Sequence, residues 1–289
     1  MQVQLSRAER QMMAAENEVG ADFKSNPRVS TLAYFGTELR IKREEAGLSQ
    51  GALAERLFCD RSLVSRVESA ERVPTEEFAQ RCDEVLGTGG SFQRLWPIVI
   101  QHAYPDWFRP FVELEQDATE IWNFENQVIP GLLQSEEYAR ALFAAARLPN
   151  TDELVAARMT RQDILGRNNR ARLWIVIDEN VLRRAVGGPA LMARQLRVLL
   201  DAAEDSRTIV QVVPYEVGAH ASMAGAFAGL TMDAGADVVY VDGRARGHVT
   251  AAPEHVADYR YAYDLLRADA LSPKASLSMI AAAAKELSP

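Results

Sequence analysis

Five polar side chains recur on one side of a short predicted helix. Residues 61–69 have the sequence Arg-Ser-Leu-Val-Ser-Arg-Val-Glu-Ser, in which the three-residue spacing of Val64 and Val67 defines an apolar face. The opposite face presents Arg61, Ser62, Ser65, Arg66 and Ser69. Arginine can donate two hydrogen bonds to O6 and N7 of one guanine, and the small serine side chain can approach a base edge or a phosphate. The pattern therefore predicts a helix that recognises bases in the major groove of DNA.

A second short helix and a tight turn precede this one. Ser49 is placed as the N-cap of the earlier helix, and Gln50 follows at the helix start and points to solvent. Ala54 is small enough for two helices to approach closely, and residues 58–60 form the turn. This arrangement predicts a helix-turn-helix, with Arg72 in the following loop placed for a phosphate. The predicted DNA-binding residues are Ser49, Gln50, Arg61, Ser62, Ser65, Arg66 and Arg72.

Further residues of this segment follow a recognisable spacing. They are Leu39-Arg40-x-x-Arg43-x-x-Ala46-Gly47-Leu48-Ser49-Gln50, Leu53-Ala54, Ser62-x-Val64-Ser65-x-Val67-Glu68 and Pro74. With them the segment resembles the DNA-binding domain of the phage-repressor class, also called the xenobiotic-response-element (XRE) class. The resemblance implies that Gln50 contacts the DNA backbone and that the first part of the second helix recognises bases. It also implies a structural ion pair between Arg43 and Glu68, and it places Cys59 where the class often has glycine.

The charge balance leaves a second interpretation of this segment open, a helical bundle that binds only protein. Residues 37–90 contain eight basic and eleven acidic side chains, and the whole chain has a formal net charge of −8. Because phosphate binding depends on basic charge, a DNA-binding face requires segregation of Arg61, Arg66 and Arg72 from acidic groups. Those acidic groups are Glu44, Glu45, Glu76, Glu77 and Glu84. For a DNA-binding segment, the balance predicts weak non-specific affinity and a shallow dependence of affinity on salt.

The order of predicted elements indicates two domains. Short helices fill residues 37–90 and a connector helix follows at 91–106, whereas β-branched and aromatic runs interleave with helices over 107–289. The predicted strands are 121–124, 173–177, 208–213, 226–232 and 238–241. The predicted helices of the second domain are 107–117, 135–147, 151–166, 189–204, 254–268 and 275–286. The expected fold class is α+β, an all-α helix-turn-helix domain followed by a mixed domain around one central sheet. Residues 1–36 form an N-terminal arm with a short helix over 5–19.

The region from Trp107 to Leu287 contains several motifs in a characteristic order. They include Trp107-Phe108, Val128-Ile129-Pro130-Gly131-Leu132-Leu133-Gln134, Tyr138-Ala139-Arg140-Ala141, Arg158-x-x-Arg161-Gln162, Asp178-Glu179-x-x-Leu182-Arg183, Val212-Val213-Pro214 and Gly218-x-His220. They resemble the C-terminal domain of the WhiJ-like helix-turn-helix proteins of actinobacteria, a domain of no settled function. In that group the gene commonly lies beside one for a small acidic protein, and the pairs are implicated in development and antibiotic control. The resemblance therefore implies a small protein partner encoded by a neighbouring gene.

Residue patterns for catalysis are absent from the sequence of the second domain, and ligand binding is the better supported expectation. The four histidines have no i,i+4 pair and no cysteine at ligand spacing, so we expect no metal, no cofactor and no enzyme. Charged groups on one face of the helix 151–166, and others after the strand 173–177, could bind an anionic ligand or an acidic partner surface. A loop histidine could line a pocket or respond to pH. The candidates are Arg158, Arg161, Gln162, Glu179, Arg183 and His220; the alternative is a solvated helix face and a surface-loop histidine.

The sequence is compatible with three functions. The first is a cytoplasmic transcriptional regulator that binds operator DNA as a homodimer and whose second domain senses a small partner protein or ligand. The second is an antitoxin-like protein that sequesters its partner and binds DNA only for autoregulation. The third is a ligand-processing enzyme fused to a DNA-binding module. Cys59 and Cys82 fit no disulfide framework, and neither a membrane span nor a signal peptide is predicted, so we expect a cytoplasmic protein.

Overall fold

The chain divides into two structural units at Tyr104 and around α-helical residues 150–160. The computed structural model describes residues 30–104, 106–148, 150–167, 169–243 and 246–288. The first unit extends to Tyr104 and includes Asn150–Thr160, and the second contains Pro105–Pro149 and the chain from Arg161 onward. The helix predicted over residues 5–19 lies outside the described residues.

Helices dominate the first unit, and the second alternates helices with strands. The helices of the described residues are α1 (Thr31–Glu45), α2 (Gln50–Leu57), α3 (Arg61–Glu68), α4 (Glu76–Leu86), α5 (Ser91–Ala103), α6 (Arg109–Glu115), α7 (Glu136–Ala145), α8 (Thr151–Arg161), α9 (Asn180–Arg183), α10 (Pro189–Ala202), α11 (Pro253–Asp269) and α12 (Pro273–Glu286). The strands are β1 (Ala118–Glu125), β2 (Arg172–Asp178), β3 (Thr208–Val213), β4 (Phe227–Met232), β5 (Val238–Val241) and β6 (His248–Thr250). Short 3-10 helices cover Gly131–Leu133, Gln162–Gly166 and Tyr215–Val217.

Side-chain caps define where three helices of the first unit begin. The hydroxyl oxygens of Ser30, Ser49 and Thr75 accept a backbone N–H from the first turn of α1, α2 and α4 respectively. Each cap satisfies one of the N–H groups that a helix start leaves without an intrahelical partner. Local sequence therefore determines these boundaries, and the N-cap predicted at Ser49 is confirmed.

The first helix and the fifth helix extend the unit beyond the predicted segment 37–90. α1 begins at Thr31, so the predicted arm is wrong for its last residues. Phe35 is fully buried there, and its ring lies 5.1 Å from the ring of Phe92 in α5. Since Val99 is also buried, the predicted connector helix supplies core residues to the first unit. Contacts between distant segments, which the local pattern does not contain, account for the difference.

One mixed sheet of six strands organises the second unit and confirms the predicted α+β fold class. The strand order is β3-β2-β1-β4-β5-β6. β2 pairs in parallel with both β1 and β3, and the other neighbours are antiparallel. All the predicted strands are present. β6 has only three residues, too few for a periodic signal, and the sequence does not predict it.

Alternate side chains of the strands enter two apolar layers, one on each face of the sheet. On one face, Ile121 and Ile175 pack in a cluster that contains Leu196 of α10 and Ile280 of α12. On the other face, Trp122, Val176 and Val239 pack with Tyr263 and Leu266 of α11. The central strands are therefore buried on both faces, which explains their almost continuous apolar sequence.

Candidate nucleic-acid interface

Helices α2 and α3 form the helix-turn-helix that the sequence predicts. Val64 and Val67 of α3 are fully buried. The predicted base-contacting side chains lie opposite and are exposed or half-buried: Arg61, Ser62, Ser65 and Arg66. Within α3, all of which the structure describes, the one carboxylate is that of Glu68, and it is buried. The exposed face of α3 therefore presents two guanidinium groups and no carboxylate.

A buried ion pair joins the end of α1 to the end of α3. Arg43 Nε lies 2.6 Å from Glu68 Oε1, and Arg43 Nη2 donates to Glu68 Oε2 at 3.0 Å. The remaining guanidinium nitrogen of Arg43 donates to the carbonyl of Leu48 at 2.9 Å, in the loop that leads into α2. The hydrogen bond to Glu68 raises the pKa of the Arg43 guanidinium. The ion pair implied by the family resemblance is thus confirmed, and it fixes all three helices.

Gln50 is oriented by the same ion pair. Its amide Nε2 donates to Glu68 Oε2 at 2.9 Å, and the side chain is half-buried. The expectation that Gln50 points freely to solvent is wrong, because Glu68 provides an acceptor within reach of the first turn of α2. A contact between Gln50 and the DNA backbone remains a prediction.

Gly36 permits the close approach of α1 to α3. A Cβ built at Gly36 would lie 2.4 Å from the carbonyl oxygen of Val67 and 2.8 Å from that of Glu68. Any larger residue would have to displace the end of α3. Gly36 is not among the residues predicted from the sequence, although a glycine inside an otherwise helical pattern is a signal of such close packing.

The turn between α2 and α3 places a bulky residue in the left-handed region. Phe58 has φ 54° and ψ 45°, and its side chain is 85% exposed. The resemblance associates glycine with position 59, but the left-handed conformation falls on Phe58 and not on Cys59. The guanidinium of Arg81 lies 5.8 Å from the ring centroid, so one face of the ring has a cationic neighbour.

Replacement of Phe58 by glycine is expected to stabilise the first unit by about 1 kcal/mol. A non-glycine residue in the left-handed region costs about 1–3 kcal/mol, and glycine avoids this cost. The greater freedom of glycine in the unfolded chain offsets part of the gain. Little apolar burial is lost, since the ring is exposed. Thermal unfolding followed by circular dichroism should show a higher Tm than for wild type. Phe58→Ala, which keeps Cβ, is the control, and a Tm for Phe58→Gly below that of Phe58→Ala would contradict the prediction.

The third arginine of the predicted interface lies in the loop after α3. Arg72 is half-buried, and its backbone N–H donates to the carbonyl of Arg66 at 3.1 Å. The acidic groups from which the arginines must be segregated are exposed and belong to α1 and α4: Glu44, Glu45, Glu76, Glu77 and Glu84. These five acidic residues therefore lie on other helices than the one predicted to contact bases, and exposed Asp60 and Glu71 lie just before and after α3.

The three candidates around the end of α8 differ in burial and are divided between the two units. Arg158 is half-buried in the first unit. Arg161 is buried in the second unit, where its Nε and Nη2 lie 2.5 and 2.6 Å from the carboxylate oxygens of Glu115. Gln162 begins a 3-10 helix, and its Nε2 donates to two backbone carbonyls at 3.0 and 2.7 Å. Arg161 and Gln162 thus contact groups of the protein itself, and binding of a ligand by these residues remains a prediction.

The other three candidates lie together beyond the carboxyl ends of β2 and β3. Glu179 is buried and accepts from Arg183 at 2.8 Å and from the N–H of Tyr215 at 3.1 Å. His220 Nε2 lies 3.3 Å from Asp178 Oδ2, and the histidine side chain is only 3% exposed, so the alternative of an exposed loop histidine is wrong. Ligands of sheets with parallel strands commonly bind at this edge. The cluster therefore remains a candidate site.

Comparison with known proteins identifies two regions of the chain. Residues 108–282 match the model of a domain of unknown function (DUF5753), and residues 35–95 match a helix-turn-helix domain. No curated protein and no solved structure matches the chain. None of the helices in the described ranges has the length and apolar character needed to cross a membrane. In the same ranges, no three or more His, Cys, Asp or Glu side chains are grouped so that they could hold a metal ion.

Proposed function

The chain belongs to the DUF5753 family, and from that family region together with the helix-turn-helix domain we propose a transcriptional regulator that binds specific DNA sequences through α3. One observation supports the proposal most directly. The exposed face of α3 presents Arg61 and Arg66 without a carboxylate, while the buried pair Arg43–Glu68 fixes the helix from behind. Exposed arginines on such a helix can each donate two hydrogen bonds to guanine in the major groove.

We propose further that the regulator belongs to the XRE class, binds DNA as a homodimer and acts in the cytoplasm. The XRE-like motif residues support membership of that class, and the symmetry of such regulators supports a homodimer on two half-sites roughly 34 Å apart. A protein that binds chromosomal DNA, with two cysteines and no disulfide framework, fits the bacterial cytoplasm. The excess of acidic over basic side chains in residues 37–90 supports weak binding to random DNA and few phosphate contacts.

For the second unit we propose a sensing role without catalysis or a cofactor. The polar cluster of Asp178, Glu179 and His220 is a candidate for the sensing site, and Arg183 and Arg184 are exposed beside it. Since the guanidinium of Arg183 already pairs with Glu179 and Glu286, Arg184 is the side chain that we propose attracts an anionic ligand or the acidic surface of a small protein. The resemblance to the WhiJ-like group supports the protein partner, encoded by a neighbouring gene.

Replacement of Arg66 by alanine tests DNA recognition. The Nε of Arg66 lies 3.3 Å from the carbonyl of Ser62 in its own helix, a long hydrogen bond that a base or phosphate can replace. We expect the affinity for the intergenic DNA upstream of the gene to fall roughly 5- to 150-fold, since a good bidentate contact discriminates by about 1–3 kcal/mol. Fluorescence anisotropy with labelled intergenic DNA and with a scrambled duplex measures both affinity and specificity.

Arg194→Ala is the matched control for this variant. Arg194 is an exposed arginine of α10 in the second unit, and its guanidinium makes the same kind of contact, 3.3 Å to the carbonyl four residues earlier. It is expected to bind the intergenic DNA like the wild-type protein. Equal affinity of Arg66→Ala and wild type would show that α3 is not the recognition helix.

A second candidate function, the antitoxin-like interaction protein, is favoured by an apolar pair on α11. Tyr261 and Leu265 are 67% and 40% exposed and lie one helical turn apart, a feature typical of protein-binding surfaces. Under this function the protein encoded by the neighbouring gene should co-purify stoichiometrically without DNA, and a genomic footprint should contain only the promoter of the pair. A footprint with many promoters would favour the regulator, and a cofactor found by native mass spectrometry would favour the third hypothesis, an enzyme.

A further inference from the structure

The loop that follows the recognition helix is fixed by a hydroxyl from far along the chain. Val73 N–H donates to Thr160 Oγ1 at 2.9 Å, and Thr160 Oγ1 lies 3.2 Å from the carbonyl oxygen of Val73. On the next residue, the Pro74 carbonyl accepts from the indole N–H of Trp96 at 2.9 Å. Val73 itself is 2% exposed. Because the backbone of Val73 is buried, the Thr160 oxygen replaces water as the acceptor for its N–H, while the single hydroxyl proton lies between the carbonyls of Val73 and, at 2.8 Å, Ala156.

The same loop contains the third arginine of the proposed DNA-binding face. The N–H groups of Glu71 and Arg72 both donate to the Arg66 carbonyl, at 2.8 and 3.1 Å, which fixes the start of the loop on α3. Val73 follows Arg72 directly, so Thr160 fixes the other end. The position of the Arg72 backbone is therefore determined by α3 on one side and by Thr160 on the other.

The hydroxyl of Thr160 comes from a helix that belongs to the DNA-binding unit by packing and to the DUF5753 region by sequence. α8 lies inside residues 108–282, yet Asn150–Thr160 packs in the first unit. Val155, Ala156 and Ala157 are at most 2% exposed, and the hydroxyl of Tyr104 donates to the carbonyl of Ala157 at 2.8 Å. The DNA-binding unit is consequently completed by a helix beyond its own sequence region.

We propose that Thr160 is a positioning residue for DNA binding, which holds the Arg72–Val73 loop so that Arg72 contacts a phosphate. The inference rests on the proposed DNA-binding function and adds to it a residue outside the helix-turn-helix region. Arg161, the next residue of the chain, is bonded to Glu115 within the second unit.

Thr160→Val and Thr160→Ser in the full-length protein test the inference. Valine has nearly the shape of threonine without the hydroxyl, and it leaves the Val73 N–H without its acceptor. We expect Thr160→Val to weaken binding to the upstream intergenic DNA about tenfold, equivalent to ~1.4 kcal/mol. Thr160→Ser, which keeps the hydroxyl, should bind within about twofold of wild type. Thr119→Val is the matched control, because it removes an exposed hydroxyl that donates to a backbone carbonyl of the second unit at 3.0 Å.

The salt dependence of binding separates positioning from a general loss of structure. If Thr160 acts through Arg72, both Thr160→Val and Arg72→Ala should lower the slope of log K against log salt by about one phosphate contact. The double variant should show no further decrease, since both changes remove the same contact. A merely structural role would lower the Tm and the affinity of Thr160→Val while its salt slope stayed at the wild-type value.

The possible outcomes distinguish a failure of the inference from a failure of the proposed DNA-binding function. Failure of the wild-type protein to distinguish the intergenic DNA from a scrambled duplex would refute the proposed function. Normal discrimination by wild type, with wild-type affinity and slope for Thr160→Val, would refute the inference alone. Should Thr160→Val unfold at the assay temperature, Arg72→Ala still decides, because a wild-type salt slope for that variant excludes the phosphate contact that the inference requires.

Discussion

Replacement of Glu68 by alanine is expected to lower the free energy of unfolding of the first unit by about 3–5 kcal/mol. The side chains of Arg43 and Glu68 are 10% and 4% exposed, so the variant would leave a buried guanidinium without its carboxylate. The amide of Gln50 would lose its acceptor at the same time. A loss of this size is comparable to a large part of the total stability of a small domain, and DNA binding should disappear with it.

Urea unfolding followed by circular dichroism measures the effect, with Glu77→Ala as the control. Glu77 pairs with Arg81 at 2.5 Å, but its side chain is 71% exposed, and loss of such a surface pair should cost at most about 1 kcal/mol. The double variant Arg43→Met, Glu68→Leu should recover most of the stability, because it removes the unpaired charge and keeps the volume. Equal midpoints for Glu68→Ala and Glu77→Ala would show that burial of the pair has no energetic consequence.

The helix-turn-helix could be predicted from the sequence because its determinants are local. The cap at Ser49, the apolar spacing of Val64 and Val67, and the turn between the two helices all lie within about twenty residues. Contacts between residues far apart in the sequence could not be predicted from such local patterns. The Arg43–Glu68 pair is accessible only through the family resemblance, and the burial of Phe35 against Phe92 has no signal in either segment alone.

In the second unit the strands could be predicted, whereas the roles of the charged residues could not. Strands buried on both faces have almost continuous apolar sequences, which a local pattern detects. A charged side chain is expected at the surface unless a partner is known, and the partner of Arg161 lies 46 residues earlier in the chain. The sequence therefore predicts that Arg161 and Gln162 bind a ligand. In the structure, Arg161 donates to Glu115 and Gln162 donates to a backbone carbonyl.

Replacement of Glu115 by alanine is expected to destabilise the second unit by about 3–5 kcal/mol. Glu115 is fully buried at its side chain, and it holds the Arg161 guanidinium through two hydrogen bonds of 2.5 and 2.6 Å. That guanidinium also lies 4.9 Å from the ring centroid of Phe108, and the Arg161 side chain is only 10% exposed. Urea unfolding followed by tryptophan fluorescence reports on this unit through Trp107, Trp122 and Trp174, and replacement of Trp96 by phenylalanine removes the signal of the first unit.

Glu113→Ala is the control for this variant, since Glu113 lies on the same short helix α6 but is exposed. It should change the unfolding free energy by no more than about 0.5 kcal/mol. The comparison decides between two roles for Arg161. If Arg161 existed to bind an anion, loss of Glu115 would free the guanidinium for that ligand, and added phosphate or an acidic peptide would restore stability. If the pair is structural, the loss remains at every anion concentration, because a guanidinium that is only 10% exposed and lies against the Phe108 ring offers little access to an added anion.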